Sequence, residues 1–136
     1  MLKKEFLPID LAFKIKEKGF KDKCFMWYCK GGLHDDLIFT QYEDESYFCY
    51  APLYQQALNW FRKKYKIDVI INSNINDEGL FYLITISQLN KKGLFTRKFI
   101  HDDSLETVKD LFMPKIFKSY QSAQNYAINY ILTEMI

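Results

Sequence analysis

Two copies of one triplet, His34-Asp35-Asp36 and His101-Asp102-Asp103, hold the residues of this chain best suited to metal chemistry. Imidazole nitrogens and carboxylate oxygens are common ligands of iron, manganese and zinc, so the two triplets together suggest a metal-dependent enzyme. Two features oppose that interpretation. Neighbouring side chains of a strand point to opposite faces, and both triplets lie where a turn or a helix N-cap favours Asp. A metal-dependent enzyme is therefore our third hypothesis.

The cysteines Cys24, Cys29 and Cys49 could bind zinc together with His34. The odd separation of Cys24 and Cys29 places their sulfurs on opposite faces of a strand, and the chain has no Cys-x-x-Cys pair. We expect small buried hydrophobic residues in a reduced, cytoplasmic protein instead. Gly-x-Ser-x-Gly and Gly-rich phosphate-binding motifs are also missing. The sequence therefore predicts no catalytic, metal-binding or cofactor-binding residue and no cofactor, and we lean away from an enzyme.

A run of cations, Arg62-Lys63-Lys64, lies between Trp60 and Tyr65 and offers the groups that proteins use to hold nucleic acid. Helical spacing assigns Tyr65 to a buried face, which leaves Arg62, Lys63 and Lys64 outward as a basic edge. A net charge of +2 is low for a dedicated nucleic-acid binder. Nucleic acid bound by this edge is therefore the alternative hypothesis.

The last predicted helix carries no charged residue from Ser119 to Thr133, which is unusual for a helix that faces water. Gln121, Asn125 and Asn129 form an uncharged polar stripe along it. Surfaces with few charges and many tyrosines are typical of the centre of protein interfaces. The sequence therefore predicts a candidate interface at this stripe for another protein or a second copy of the chain. The remaining possibility is that other elements of the fold cover the stripe.

A helix that passes directly into a strand positions the basic edge. The pattern predicts an amphipathic helix over residues 53–65 with Pro52 at its start, followed by a buried strand over residues 67–71. Apolar strands over residues 80–87 and 94–100 follow, separated by the turn-rich segments 72–79 and 90–93. Three strands joined by short turns form an antiparallel meander.

The other elements are shorter, apart from the final helix. Gly19 ends the first predicted helix, because glycine readily adopts the positive φ of a helix C-terminus. The remaining predicted elements are helices over residues 8–18, 104–112 and 119–134 and strands over residues 24–29, 37–41 and 47–50.

These elements predict an α+β fold in which an antiparallel β-sheet, the meander, has two main helices packed on one face and short additional helices. The predicted core draws on most of the elements. It comprises Leu11, Ile15, Phe25, Trp27, Ala57, Leu58, Phe61, Val69, Ile71, Phe81, Leu83, Ile84, Ala123, Ala127 and Ile131.

Length and composition fit one ordinary globular domain over residues 1–136. The chain of 136 residues is 49% hydrophobic and 26% charged, which excludes a disordered chain, and its 18% aromatic content favours strands and a core of flat side chains. The N-terminal residues lack the apolar run of a signal peptide, and no window reaches the length needed to cross a bilayer. We therefore expect no membrane partner.

The segment Ala51-Pro…Gln55-Gln-Ala…Trp60-Phe-Arg-Lys-Lys-Tyr65-Lys-Ile67 resembles a block found in small uncharacterised proteins of gut anaerobes and their mobile elements. The resemblance extends upstream through residues 11–20 and Cys24 and downstream to residues 119–123. It implies a compact α+β domain and carries no functional residue, because those proteins have no established function. The uncharged stripe of the last helix, and not this resemblance, leads to the predicted function: a small cytoplasmic protein-interaction or accessory protein that self-associates or binds a protein partner.

Overall fold

The computed structural model describes residues 2–29, 37–38, 47–89, 92–99 and 115–136. The α+β class with an antiparallel meander is confirmed. The described helices are α1 (Ile9–Glu17), α2 (Tyr54–Tyr65) and α3 (Tyr120–Tyr130), with a 3₁₀ turn at Leu2–Glu5 and a π-helical turn at Ile131–Met135. The described strands are β1 (Met26–Cys29), β2 (Leu37–Ile38), β3 (Tyr47–Ala51), β4 (Ile67–Asn76), β5 (Gly79–Leu89) and β6 (Phe95–Phe99).

The chain divides into two compact units, and the boundary between them falls inside α2 and inside α3. The first unit contains Met1–Trp60 and Ile128–Ile136, and the second contains Phe61–Ala127. Each unit has its own three-stranded antiparallel sheet, with the order β2-β1-β3 in the first and β4-β5-β6 in the second.

The N-terminal segment of the first unit is held against β3 and the start of α2. The backbone N–H of Leu7 donates to the carbonyl of Pro52 at 2.9 Å, and the buried Tyr28 hydroxyl donates to the carbonyl of Leu7 at 2.7 Å. The rings of Phe20 and Trp60 meet edge to face with centroids 5.6 Å apart. These contacts connect the chain terminus, the sheet and the helix of this unit through buried groups.

The end of α1 follows the sequence prediction. Gly19 has φ 99°, and its N–H donates to the carbonyl of Lys16, while the N–H of Phe20 donates to the carbonyl of Ile15. These two bonds form a Schellman motif, in which a residue with positive φ lets the last carbonyls of a helix find donors. Phe20 and Ile15 are both buried.

The passage from α2 to β4 takes a single residue, as the sequence predicts. Lys66 adopts φ 57° between the two elements, and its Nζ donates to the carbonyl of Lys63 at 3.3 Å. The carbonyl of Lys66 accepts the N–H of Leu89 at 3.1 Å, which aligns the start of β4 with the end of β5. The start of α2 differs from the prediction. Leu53, not Pro52, directly precedes the helix, and its N–H donates to Gln56 Oε1 at 2.9 Å as in half of a capping box.

Phe25 is the clearest error in the predicted core, because its side chain is 65% exposed. Strand β1 begins only at Met26, so Phe25 precedes the sheet that was expected to bury it. Five other members of the predicted core are half-buried and the rest are buried. The half-buried members are Leu58, Val69, Ile71, Phe81 and Leu83.

The segment 72–76 was expected to belong to a turn and instead continues β4. Every residue of β4 has a partner on β5, from Ile67 opposite Gln88 to Asn76 opposite Gly79, without a shift of register. The polar residues of this segment suggested a turn, but cross-strand pairing sustains the strand up to a two-residue connection. The predicted helix at residues 104–112 lies outside the described residues.

Candidate functional site

The β4–β5 hairpin is closed by a turn whose geometry the sequence Asn76-Asp-Glu-Gly79 explains. Asn76 Oδ1 accepts the backbone N–H of Glu78 at 2.9 Å, which is the local bond that makes Asn favourable at the start of turns. Gly79 has φ 120°, a conformation that residues with a Cβ rarely adopt. This turn fixes the register of the hairpin and therefore decides which side chains share a face.

The outer arm of this hairpin extends into solvent on both of its faces. All nine residues from 72 to 80 are exposed. Ile75 lies opposite Leu80 in the register, and their side chains are 81% and 52% exposed. Nearer its base, the same face of the hairpin contains the buried Ile84 and Ile86. The hydrophobic face of the sheet therefore continues beyond the core as an exposed apolar pair, which is a common property of protein-binding surfaces.

One side of the central strand β5 is occupied along much of its length. Strand β6 pairs with residues 85–89, and beyond it Tyr82 and Phe117 exchange two backbone hydrogen bonds of 2.8 and 3.0 Å. The ring of Tyr82 meets that of Tyr120 at 5.8 Å, and the ring of Phe117 meets that of Tyr126 at 5.1 Å. The segment that leads into α3 is thus bound to β5 by backbone and ring contacts.

Strand β4 has a different environment, because among the described strands it pairs with β5 alone. Its sequence, Ile67-Asp-Val-Ile-Ile-Asn-Ser-Asn-Ile-Asn76, contains neither Pro nor Lys. Edge strands of soluble proteins usually carry Lys, Pro or a bulge that prevents further pairing. By contrast, β4 is ten residues long and has an unbroken register with β5. The edge of β4 that faces away from β5 is called the β4 edge below. It is exposed from residue 72 to residue 76, whereas Ile67 at its other end is buried.

The hairpin has opposite charges at its two ends. Asp77 and Glu78 are exposed at the turn, whereas Lys63, Lys64 and Lys66 are exposed at the base, where α2 passes into β4. The turn and the base are separated by the length of the strand. Negative charge therefore lies at the turn end of β4, and positive charge lies at the end where α2 passes into β4.

The basic edge predicted for nucleic acid is already engaged in part. Arg62 Nε donates to Asp68 Oδ1 at 3.0 Å, and both side chains are exposed. Lys64 Nζ lies 5.4 Å from the centre of the Tyr65 ring. Lys63 is exposed on the same helix. The three cations do lie on the surface, but an adjacent carboxylate neutralises one of them, which weakens the attraction of the edge for phosphate.

The predicted interface stripe on α3 is unevenly exposed. Gln121 and Asn125 are half-buried in the second unit, and Asn129 is exposed in the first unit. Lys14 Nζ donates to Asn129 Oδ1 at 2.9 Å, so a charge from α1 reaches this part of the stripe. An uncharged run of sequence therefore does not make an uncharged surface at Asn129. The interface at this stripe stays a prediction.

The two thiols whose side chains the structure describes both have raised pKa values. Burial raises the pKa of the Cys24 thiol to about 12, with smaller contributions from Asp22 and Cys49. Burial also raises the pKa of the Cys49 thiol to about 11, and the Lys16 ammonium opposes that shift. Protonated thiols are poor nucleophiles and poor metal ligands. Both triplets of His and Asp and the side chain of Cys29 lie outside the described residues. In the part of the chain that is described, no three His, Cys, Asp or Glu residues are close enough to hold a metal ion.

Comparison with known proteins identifies no relative: no protein-family model, curated protein or solved structure matches the chain. The resemblance to small proteins of gut anaerobes therefore stays a prediction. Among the described helices, none has the length and apolar character needed to cross a membrane.

The β4 edge and the exposed pair Ile75 and Leu80 were not predicted from the sequence. A signal was present, because Ile75 is a lone apolar residue among Asn, Ser and Asp and continues the alternation of Val69, Ile71 and Ser73. Alternation with a period of two indicates a strand. The polar composition of residues 72–79 concealed that alternation and suggested a turn.

Proposed function

We propose that this chain is a small cytoplasmic interaction or accessory protein that binds a protein partner by strand addition at the β4 edge. The observation that supports the proposal is the combination of a strand that pairs, among the described strands, with β5 alone and the exposed pair Ile75 and Leu80 at its outer end. Added strands obtain affinity from backbone hydrogen bonds and specificity from alternate side chains. The β4 edge offers both kinds of contact.

Affinity capture from the native cell with two variants at one position tests this function. Ser73→Pro removes an N–H that points away from β5, so the β4 edge loses a donor and the hairpin loses no bond to β5. Ser73→Ala keeps the N–H and changes only the exposed side chain. We expect one protein to be enriched by the wild type and by Ser73→Ala and to be lost with Ser73→Pro. Equal enrichment by all three proteins, or enrichment of nucleic acid instead, would contradict the proposal.

Nucleic-acid association through Arg62, Lys63 and Lys64 is the second candidate. Its support is the exposure of the three cations on one helix, and the Arg62–Asp68 ion pair opposes it. The double variant Arg62→Glu/Lys64→Glu tests it against mixed DNA and RNA at low salt, where phosphate contacts are strongest. Binding that the double variant abolishes would support this candidate. Binding that it leaves unchanged would exclude the basic edge as the site.

A further inference from the structure

We propose that the occupant of the β4 edge is a second copy of the same chain, with the two β4 strands antiparallel about a twofold axis that passes through Ile71. The inference rests on the proposed function, because it names the partner that the β4 edge receives. Pairing of this kind joins two three-stranded sheets into one six-stranded sheet. Because the axis relates the same edge of both copies, the assembly closes at two chains.

The backbone register follows from two sets of hydrogen bonds. Tyr82 directs its N–H and carbonyl away from β4 toward Phe117, and Leu89 directs its N–H toward Lys66 on the β4 side. Backbone groups of a strand alternate in direction, so the odd-numbered residues of β5 bond to β4. Those residues lie opposite even-numbered residues of β4, such as Ile70 opposite Thr85. The odd-numbered residues of β4 therefore direct their N–H and carbonyl groups outward.

These outward groups restrict how two copies can pair. In an antiparallel ladder the hydrogen-bonded pairs must be made by residues that direct their groups at each other. Odd-numbered residues must therefore lie opposite odd-numbered residues. Centring the overlap on Ile71 places Ile71 opposite its own copy, Val69 opposite Ser73, and Ile67 opposite Ile75. Because Ile67 is only 1% exposed, the accessible ladder centres on Ile71, whose two copies become cross-strand neighbours, and pairs of β-branched residues stabilise adjacent strands.

Charge supports the antiparallel arrangement of two copies. With Ile71 on the axis, Asp77 and Glu78 of each copy lie just beyond the paired strands, toward the end of the other copy's β4 that follows the exposed Lys64 and Lys66. On both sides of the axis, the acidic turn of one hairpin thus lies toward the positively charged end of the other. A parallel arrangement would place like charges together at each end, which opposes association. The two Asp68 side chains lie opposite Asn74 rather than each other, so β4 brings no charge repulsion into the ladder.

Light scattering across a dilution series from millimolar protein downward measures the association. We expect a monomer–dimer equilibrium that weakens as salt is added, because the contacts between the acidic turn and the basic base are exposed. Ser73→Pro should weaken dimerisation by at least about tenfold, since each copy loses one backbone hydrogen bond to the other, whereas Ser73→Ala should dimerise like the wild type. Circular dichroism confirms that each variant is folded.

Ser73→Lys provides a second variant in case Ser73→Pro does not fold, because a lysine on an edge strand opposes pairing while preserving the backbone. A monomer at every concentration, larger open-ended assemblies, or a dimer indifferent to Ser73→Pro and Ser73→Lys would overturn the inference. If the protein were a monomer and captured a different protein that is lost with Ser73→Pro, the β4 edge would not bind a second copy, and the proposed function would still hold. If Ser73→Pro reduced neither dimerisation nor the capture of a partner, the result would count against both the inference and the proposed function.

Cross-linking tests the register. Asn72 and Asn74 are both exposed on the same face of β4, so Asn72→Cys and Asn74→Cys form a matched pair. With Ile71 on the axis, the two copies of residue 72 lie two positions apart along the strands, about 7 Å, and the two copies of residue 74 lie six positions apart, about 20 Å. A short bismaleimide should link Asn72→Cys efficiently and Asn74→Cys poorly. Equal linking, or the reverse order, would overturn this register.

Discussion

Ile75 lies directly opposite Leu80 across the β4–β5 hairpin, and both side chains face solvent, with 81% and 52% of their surface exposed. The pair continues the face that nearer the base buries Ile84 and Ile86. An apolar cross-strand pair stabilises the hairpin by itself only modestly, and its exposure leaves most of its apolar surface available to a partner. The outer half of the hairpin therefore exposes apolar surface that the fold of the described residues does not cover.

The same substitution at two positions of this face should separate exposed from buried isoleucine. Ile75→Thr should change the free energy of unfolding by less than about 0.5 kcal/mol, because little apolar surface is removed from water at this position. Ile84→Thr should destabilise by about 2 kcal/mol or more, because it buries a hydroxyl and leaves a cavity. Urea denaturation of the two variants at low protein concentration measures both. A large loss for Ile75→Thr would mean that folding of the monomer buries this side chain.

Gly79 should be the position of the hairpin turn that is most sensitive to an alanine substitution. Its φ of 120° opposes any residue with a Cβ, although a Cβ there would meet no atom within 4 Å. Gly79→Ala should therefore destabilise by about 1 kcal/mol through the backbone alone. Glu78→Ala at the neighbouring exposed position should be close to neutral. Thermal unfolding compares the two variants, and equal effects would contradict the role assigned to φ.

Lys66 offers the opposite case, a non-glycine residue with φ 57°. Lys66→Gly should stabilise the protein by up to about 1 kcal/mol, because glycine adopts this conformation without steric strain. Lys63→Gly, three residues earlier within α2, should instead destabilise by up to about 1 kcal/mol. Chemical denaturation should therefore give opposite signs for the same substitution. Destabilisation by Lys66→Gly would mean that the Lys66 side chain contributes more than its backbone strain.

The Arg62–Asp68 pair should contribute little to stability, because both side chains are exposed. A double-mutant cycle with Arg62→Gln and Asp68→Asn should give a coupling energy of about 0.2–1 kcal/mol that declines as salt is added. Asp68→Asn also removes the carboxylate beside the basic edge. If that edge binds nucleic acid, this single variant should bind more tightly than the wild type at low salt. A coupling energy independent of salt would contradict an exposed pair.

The raised thiol pKa values give a pH dependence with a defined sign. Below pH 9.0, the ordinary value, the Cys24 and Cys49 thiols are protonated in both states, so their contribution to stability is fully present. In the folded protein the pKa is about 12 for Cys24 and about 11 for Cys49. Between pH 9.0 and these values, the thiols of the unfolded chain ionise first, and this contribution to stability is lost. Urea denaturation across this range should show a steeper decline for the wild type than for Cys24→Ala/Cys49→Ala. Equal slopes would contradict burial of the two thiols.

Local signals in the sequence were sufficient for several elements. The α2 helix was predictable because its apolar residues recur at helical spacing, and the end of α1 was predictable because Gly19 supplies a positive φ. The direct passage from α2 into β4 was predictable because the apolar pattern changes its period within one residue of Lys66. Each of these features depends on residues that are close together in the chain.

The features that misled prediction depend on distant partners. Residues 72–76 are a strand because β5 pairs with them, and their own composition favours a turn. Asn129 lies beside a charge because Lys14, 115 residues away in the chain, reaches it. Phe25 is exposed because β1 begins one residue later. A pattern within a short segment cannot reveal a partner that lies elsewhere in the chain.

The sequence by itself determined the kinds of elements, the end of α1 at Gly19 and the direct passage from α2 into β4, because propensity, periodicity and glycine conformation act locally. Only the tertiary structure decided that β4, among the described strands, pairs with β5 alone and ends in an exposed apolar pair. Edge or centre is a property of strand order, and strand order depends on which segments, far apart in the chain, exchange backbone hydrogen bonds.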